Sequence, residues 1–167
     1  MNEMSRKKFL EYTAAAGAAV LLSSLESFAK QQPDKKLRIA EIGCGSVSNR
    51  YLPQLLSSPM LQVVSLCDIK YERAVEQNKK YNVNAKTYPD IHGMLAGEPF
   101  DMMVTTTDMQ VHGELNKIAL NAGKHVWSEK PMANSYAAGK ELLELSRSKK
   151  LRLWAHLPLL IARSLHS

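Results

Sequence analysis

Leu37-Arg38-Ile39-Ala40-Glu41-Ile42-Gly43-Cys44-Gly45-Ser46-Val47-Ser48 carries the clearest structural instruction in the chain. Apolar residues alternate as far as Ile42, which predicts a strand, and a helical pattern with Arg50, Leu52, Leu55 and Leu56 begins beyond the glycines. Strand, glycine-rich turn and helix in that order form the context a nucleotide-binding loop requires. Gly43 can take a tight turn without a Cβ clash, and Gly45 lets the main chain approach a pyrophosphate. Ser46 and Val47 lead into a helix whose free N–H groups and positive dipole end face the anion. These four residues are the candidate phosphate contacts. Ser48 stands at the third glycine position of G-x-G-x-x-G, so the fingerprint is incomplete. Two glycines after a strand also serve as an ordinary turn, and residues further along must decide.

Glu41-Ile42-Gly43-Cys44-Gly45 also resembles the first motif of S-adenosylmethionine-dependent methyltransferases. Composition does not separate the two. With 167 residues, 45% hydrophobic and 23% charged, the chain suits one globular domain and is short for two. The net charge of +6 is scattered over Lys35, Lys36, Lys70, Lys79, Lys80, Lys149 and Lys150, without interleaved aromatics, which argues against a nucleic-acid partner. Cys44 and Cys67 lack metal-ligand spacing and the five histidines do not cluster with acids or cysteines, so no metal is expected. Each cysteine falls at a predicted strand end, where a small apolar residue packs well; a disulfide in an oxidising compartment is the alternative.

Residues 1–29 read as an export leader rather than fold. Arg6-Lys7-Lys8 is the positive start, Ala14 to Leu22 the apolar middle, and Ser27-Phe28-Ala29 the small-x-small cleavage signal. The apolar run is too short to span a membrane, so no stable insertion is expected. Ser5-Arg6-Lys7-Lys8-Phe9-Leu10 resembles the twin-arginine export signal, with Lys7 replacing the second arginine. This predicts a periplasmic protein; the alternative is an amphipathic helix retained on a cytoplasmic one.

Residues 30–154 form the predicted domain. Leu61 to Cys67 is a buried strand ending at Asp68, whose carboxylate would accept from ribose hydroxyls and favour NAD over NADP. Lys70 and Arg73 could instead meet a 2′-phosphate, and Asp68 could simply cap the next helix. A polar helix follows over Tyr71 to Tyr81, then a short strand Lys86 to Tyr88 and a short helix Ile91 to Leu95. Asp101 to Val104 is the fourth strand. A helix from Val111 to Ala122, with Leu115, Ile118 and Ala119 on one face, stops at Gly123. His125 to Ser128 is the fifth strand, and Ser135 caps a helix striped with Ala138, Leu142, Leu143 and Leu145. Leu151 to Trp154 is the sixth strand. Regular strand–helix alternation predicts an α/β, doubly wound parallel sheet.

Ala122-Gly123-Lys124-His125-Val126-Trp127-Ser128-Glu129-Lys130-Pro131-Met132-Ala133 resembles the A-G-K-H-V-x-x-E-K-P-x-A block of the Gfo/Idh/MocA oxidoreductases, relatives of glucose–fructose oxidoreductase and inositol dehydrogenase. Methyltransferases have no use for a Lys-Pro pair there. The resemblance covers about Leu37 to Trp154 and implies a Rossmann NAD(P)-binding domain. It implies that Lys130 is the catalytic cation beside the nicotinamide, polarising a substrate hydroxyl or carbonyl, with Glu129 accepting from the cofactor or the nearby backbone. Thr105, Thr106 and His112 match the segment whose backbone and side chains line the nicotinamide ribose; His112 reads first as helix-start packing or capping, with chemistry the alternative. Asp108 replaces the family's proline, which predicts a looser loop.

The family's C-terminal α+β substrate domain is not in the sequence, and residues 155–167 form an atypical tail with the look of a truncated or frame-shifted end. Three functions stay open: the nucleotide-binding half of an oxidoreductase acting on a sugar, polyol or related hydroxy compound, a dinucleotide-binding module without turnover, and a fragment of an NAD-dependent glycosidase. The uncovered face of the sheet predicts self-association.

Overall fold

The computed structural model describes residues 35–155. The proposed leader, the linker and the tail beyond Ala155 lie outside the described residues.

Among the described residues six strands alternate with five helices. The strands are β1 (Leu37–Ile42), β2 (Leu61–Cys67), β3 (Lys86–Tyr88), β4 (Met102–Thr105), β5 (His125–Ser128) and β6 (Leu153–Ala155). The helices are α1 (Ser48–Ser57), α2 (Tyr71–Lys80), α3 (Ile91–Ala96), α4 (His112–Asn121) and α5 (Tyr136–Ser148), and a 3-10 turn, Met109–Val111, precedes α4. All strands pair in parallel in the order β3-β2-β1-β4-β5-β6. The chain therefore winds outward from β1 in both directions, and the β1/β4 junction is the topological switch point where such sheets bind ligands.

Side-chain alternation along β1 sorts the two layers. Ala40 and Ile42 join Val64, Met94, Met103, Ala119, Leu120, Val126 and Leu142 beneath α3, α4 and α5. Ile39 joins Leu52, Val63, Leu66, Ala74 and Val104 beneath α1 and α2. Both faces of the central strands are thus apolar and covered, as a parallel sheet demands. Glu41 is the exception: it lies in the middle of β1 with no exposure.

The local signals act as expected at several ends. Gly123 adopts φ +75° after α4. Ser135 Oγ accepts from Ala138 N at 3.2 Å and caps α5. Three details differ from the sequence reading. Leu143 lies on the exposed side of α5, and Ser146 takes the buried position instead, because the helix pitch brings residue 146, not 143, beneath Leu142. The face of α4 turned inward carries His112, Asn116, Ala119 and Leu120, with Leu115 and Ile118 only partly buried. Asp108 does not loosen its loop: at φ −63° it adopts the dihedral a proline would impose, and its carboxylate accepts from Gln110 N at 3.0 Å.

Candidate functional site

The carboxyl ends of β1 and β4 meet in a close main-chain contact. Gly43 has φ +99°, and a Cβ there would lie 2.5 Å from Thr107 N and 2.6 Å from the Thr106 carbonyl carbon. No side chain fits, so the turn after β1 packs directly on the loop after β4. Gly43 N donates to Cys67 O at 2.8 Å, and Thr106 N donates to Ile42 O at 2.9 Å, which ties the turn to both neighbours. Gly45 is different. A Cβ there would meet nothing within 4 Å, so its small size leaves open space above the turn rather than relieving internal crowding. Ser46 and Val47 are exposed on the same rim. Among the described residues, the amides of Gly45, Ser46 and Val47, which lead into α1, donate to no acceptor. A cradle of free amides with room over Gly45 fits the pyrophosphate of a dinucleotide.

Asp68 closes the β2 side. Its Oδ2 accepts from Cys44 N at 2.8 Å and its Oδ1 from Lys70 N at 2.8 Å. The side chain is 7% exposed and welds the glycine turn to the start of α2. The capping role and the placement beside the turn are therefore one arrangement, and each carboxylate oxygen keeps a second lone pair for a ribose hydroxyl. Ile69, Lys70 and Arg73 are exposed alongside. Both cysteines are free and buried. Burial and nearby carboxylates push the Cys44 thiol up, and burial with Asp90 and Asp68 pushes Cys67 up to about 12. Neither is a nucleophile near neutrality.

The β4–β5 side is a side-chain network. Asn116 Oδ1 accepts from Thr105 Oγ1 at 2.9 Å; its Nδ2 donates to Ser128 Oγ at 2.9 Å and to Met132 O at 3.0 Å. His112, one turn earlier, places Nδ1 2.8 Å from Pro131 O and Nε2 3.1 Å from Thr107 O. Together they lash the segment after β5 to the loop after β4. Glu129 N donates to Thr105 O at 2.9 Å; its carboxylate accepts from Lys130 N at 2.7 Å and from the Tyr51 hydroxyl on α1. The Tyr51 ring meets Trp127 edge-on at 4.8 Å. Lys130 is exposed at this edge, and the Lys130–Pro131 peptide is cis.

The predicted residues thus gather along one edge, Gly43, Gly45, Ser46, Val47 and Asp68 on one side and Thr105, Thr106, His112, Glu129 and Lys130 on the other. Their roles differ from one another. The hydroxyls of Thr105 and Thr106 and the ring of His112 are buried and bonded inward, which leaves main chain to line the crevice there. Sequence reasoning missed Asn116, Tyr51 and Glu41. Asn116 carried one signal, a polar residue four positions after His112 on an otherwise apolar face. A concavity of about 530 Å³ lies between Arg38, Gln62 and Lys86 at the other end of the strands and shares no residue with this site.

A doubly wound sheet with a glycine turn at its switch point and an acid at the tip of β2 defines a dinucleotide-binding domain. Residues 37–157 match the GFO_IDH_MocA oxidoreductase family, NAD-binding Rossmann fold, and the chain belongs to that family. It is 29% identical over 118 residues to inositol 2-dehydrogenase of Salmonella typhimurium, an alignment covering 70% of this chain and 35% of the relative. It is 31% identical over 115 residues to 4-carboxy-2-hydroxymuconate-6-semialdehyde dehydrogenase of Sphingobium sp., covering 69% and 36%. The WlbA dehydrogenase of Bordetella pertussis, solved in complex with NADH and UDP-GlcNAcA, superposes with a TM-score of 0.67 at 27% identity, covering 74% of this chain and 35% of that one. The chain spans about a third of the length of the curated relatives it matches. The methyltransferase alternative is thereby excluded. Among the described residues no helix is long and apolar enough to cross a membrane.

Proposed function

We propose that this chain is the coenzyme-holding part of an oxidoreductase acting on a sugar, polyol or related hydroxy compound, and that NAD lies across the β1/β4 switch point. The observation that carries this is the paired use of glycine: Gly43 is required by the contact with Thr106 and Thr107, whereas Gly45 keeps clear the space a diphosphate needs. Gly45, Ser46 and Val47 would hold the diphosphate through their amides, and Gly43, whose own N–H is committed to Cys67 O, would shape the turn beneath it. Asp68, with both oxygens already oriented by amides, would take the adenosine ribose and favour NAD; Lys70 and Arg73 are the groups that would admit NADP.

The bound nicotinamide supplies hydride acceptance and return. The chain's own contribution at that end is Lys130, an exposed cation set where β5 ends, which would orient and polarise a substrate oxygen. Glu129 positions it, since its carboxylate bridges Lys130 N and Tyr51. Thr105, Thr106 and His112 hold the crevice wall, and the nicotinamide ribose would rest on main chain there. Residues 1–29 supply an export leader in this reading. Titration of the purified chain with NAD and NADP, followed by Trp127 and Trp154 fluorescence, tests it. Saturable binding of NAD, tighter than NADP, is expected; no binding of either below about millimolar overturns it, since that is the weakest range for specific recognition.

A further inference from the structure

Glu41 is a carboxyl group with no exposure in the central strand of the sheet, two residues before the glycine turn. Its Oε1 accepts from Thr106 Oγ1 at 3.1 Å. The same hydroxyl lies 2.7 Å from Gly43 O and 3.2 Å from Ile42 O. One hydroxyl carries one hydrogen, so three acceptors compete for a single donor. Glu41 Oε2 and the Ser48 Oγ are both buried and neither closes a hydrogen bond, although Ser48 is close enough to favour the charged carboxylate. Ser48 is the residue at the third glycine position and the first of α1.

A proton on Glu41 resolves all of this at once. The acid O–H can donate to Ser48 Oγ, satisfying both orphaned atoms, and Thr106 is released to donate to Gly43 O and close the turn. Without the proton, a buried carboxylate holds Thr106 and sits directly behind the place where a diphosphate would rest. Like charges in a low-dielectric interior repel strongly.

We infer that Glu41 is a positioning residue for the phosphate turn, acting through Ser48 and Thr106, and that NAD binding draws one proton from solvent onto its carboxylate. This presupposes the dinucleotide reading above. The groups around Glu41 come from the turn, from β2 and β4 and from α1, and beyond Thr106 the buried His112 ring bonds Thr107 O. On the turn, Cys44 keeps its proton, pushed up by burial and by Glu41 and Asp68. On β2, Leu66 lies opposite, with Cys67 and the amide-bound Asp68 beyond. On β4, Val104 lies opposite and Thr105 and Thr106 follow. On α1, Ser48, Tyr51 and Leu52 are buried, and Tyr51 is tied to Glu129. Burial raises the Glu41 carboxyl to about 7, within the range a second anion can shift across neutrality.

The test is calorimetric titration of the purified chain with NAD from pH 6.5 to 8.5, in HEPES and in Tris, whose ionisation enthalpies differ. Wild type should bind roughly fivefold to tenfold more weakly at the alkaline end and take up about half a proton near pH 8. E41Q, which keeps the shape but cannot ionise, should bind with no pH slope and no buffer dependence. A wild-type affinity flat in pH, or a slope that survives in E41Q, overturns the inference. Absence of NAD binding in folded wild type overturns the dinucleotide reading and this one together. Should E41Q fail to fold, infrared difference spectra of wild type labelled with 13C-glutamate decide: a protonated-carboxyl band gained with NAD at pH 8 supports the inference, and its absence refutes it.

Discussion

The two sides of the crevice are built from opposite materials. On the β1–β2 side the candidate groups are amides, held by a glycine with no room for a Cβ and a carboxylate locked between Cys44 N and Lys70 N. On the β4–β5 side the candidate group is one exposed lysine, and a buried network of Asn116, His112, Thr105 and Ser128 holds the segment that carries it. Main-chain donors can be fixed only by backbone geometry, so the first side depends on sterics. A long cation must reach and adapt, so the second depends on anchoring its base while leaving its tip free. A rigid turn and an exposed cation on an anchored base thus stand on the same sheet with β4 between them.

Substitutions can break that contrast. Gly43→Ala should be the most damaging, because a Cβ would meet backbone at 2.5 Å in a left-handed conformation; a loss on the order of 3–5 kcal/mol is expected in urea denaturation. Tolerance of alanine would show that the turn is not sterically dictated.

Glu41 adds a pH dependence to the same side. Its folded carboxyl holds a proton up to about 7, against an ordinary value of 4.5, because burial penalises the charge. Between those values the native state binds more protons than the unfolded chain. The stabilising contribution is therefore complete below pH 4.5 and is lost as pH rises through 7, on the order of 3 kcal/mol in all. Glu41→Gln should accordingly be the more stable protein at pH 8 and no better than wild type near pH 4.5, as measured by denaturation at both values.

Asn116→Ala probes the other side. It removes the acceptor of the Thr105 hydroxyl and the donor to Ser128 Oγ and the Met132 carbonyl, while Ser128 keeps its bond to Glu129 O, at a cost of about 2–3 kcal/mol. Hydrogen exchange should rise in the segment after β5 while the glycine turn stays protected. Asp68→Ala should weaken NAD by roughly 1–3 kcal/mol, the cost of unpaired ribose hydroxyls. An unchanged affinity would leave Asp68 as a cap alone. Lys130→Ala should be the mildest for the fold, within about 0.5 kcal/mol of wild type, since the side chain is exposed. A larger loss would show that the lysine belongs to the packing and not to the chemistry.

Most of the architecture was legible in the chain. Leu61–Cys67, Lys86–Tyr88 and His125–Ser128 are strands with the boundaries their apolar runs suggest, and Gly123 and Ser135 end and begin helices as their types predict. These signals are local: period, cap and turn act within a few residues. The gathering of Gly43, Asp68 and Lys130 on one edge also followed from strand–helix alternation, because every parallel strand ends on the same side.

What eluded the sequence lies in contacts distant along the chain. Thr105 and Thr106 read as part of a segment whose backbone and side chains line the crevice, and the sequence did not show that one hydroxyl faces Asn116 and the other Glu41. Glu41 passed as the polar member of an alternating strand, although it has no exposure once α1 covers it. The order of residue types determined a parallel nucleotide-binding sheet, since periodicity and glycine conformation are properties of short segments. Only the folded chain decided which polar groups face the crevice and which are sealed behind it, because burial, which raises the Glu41 carboxyl, is a property of the packed layers.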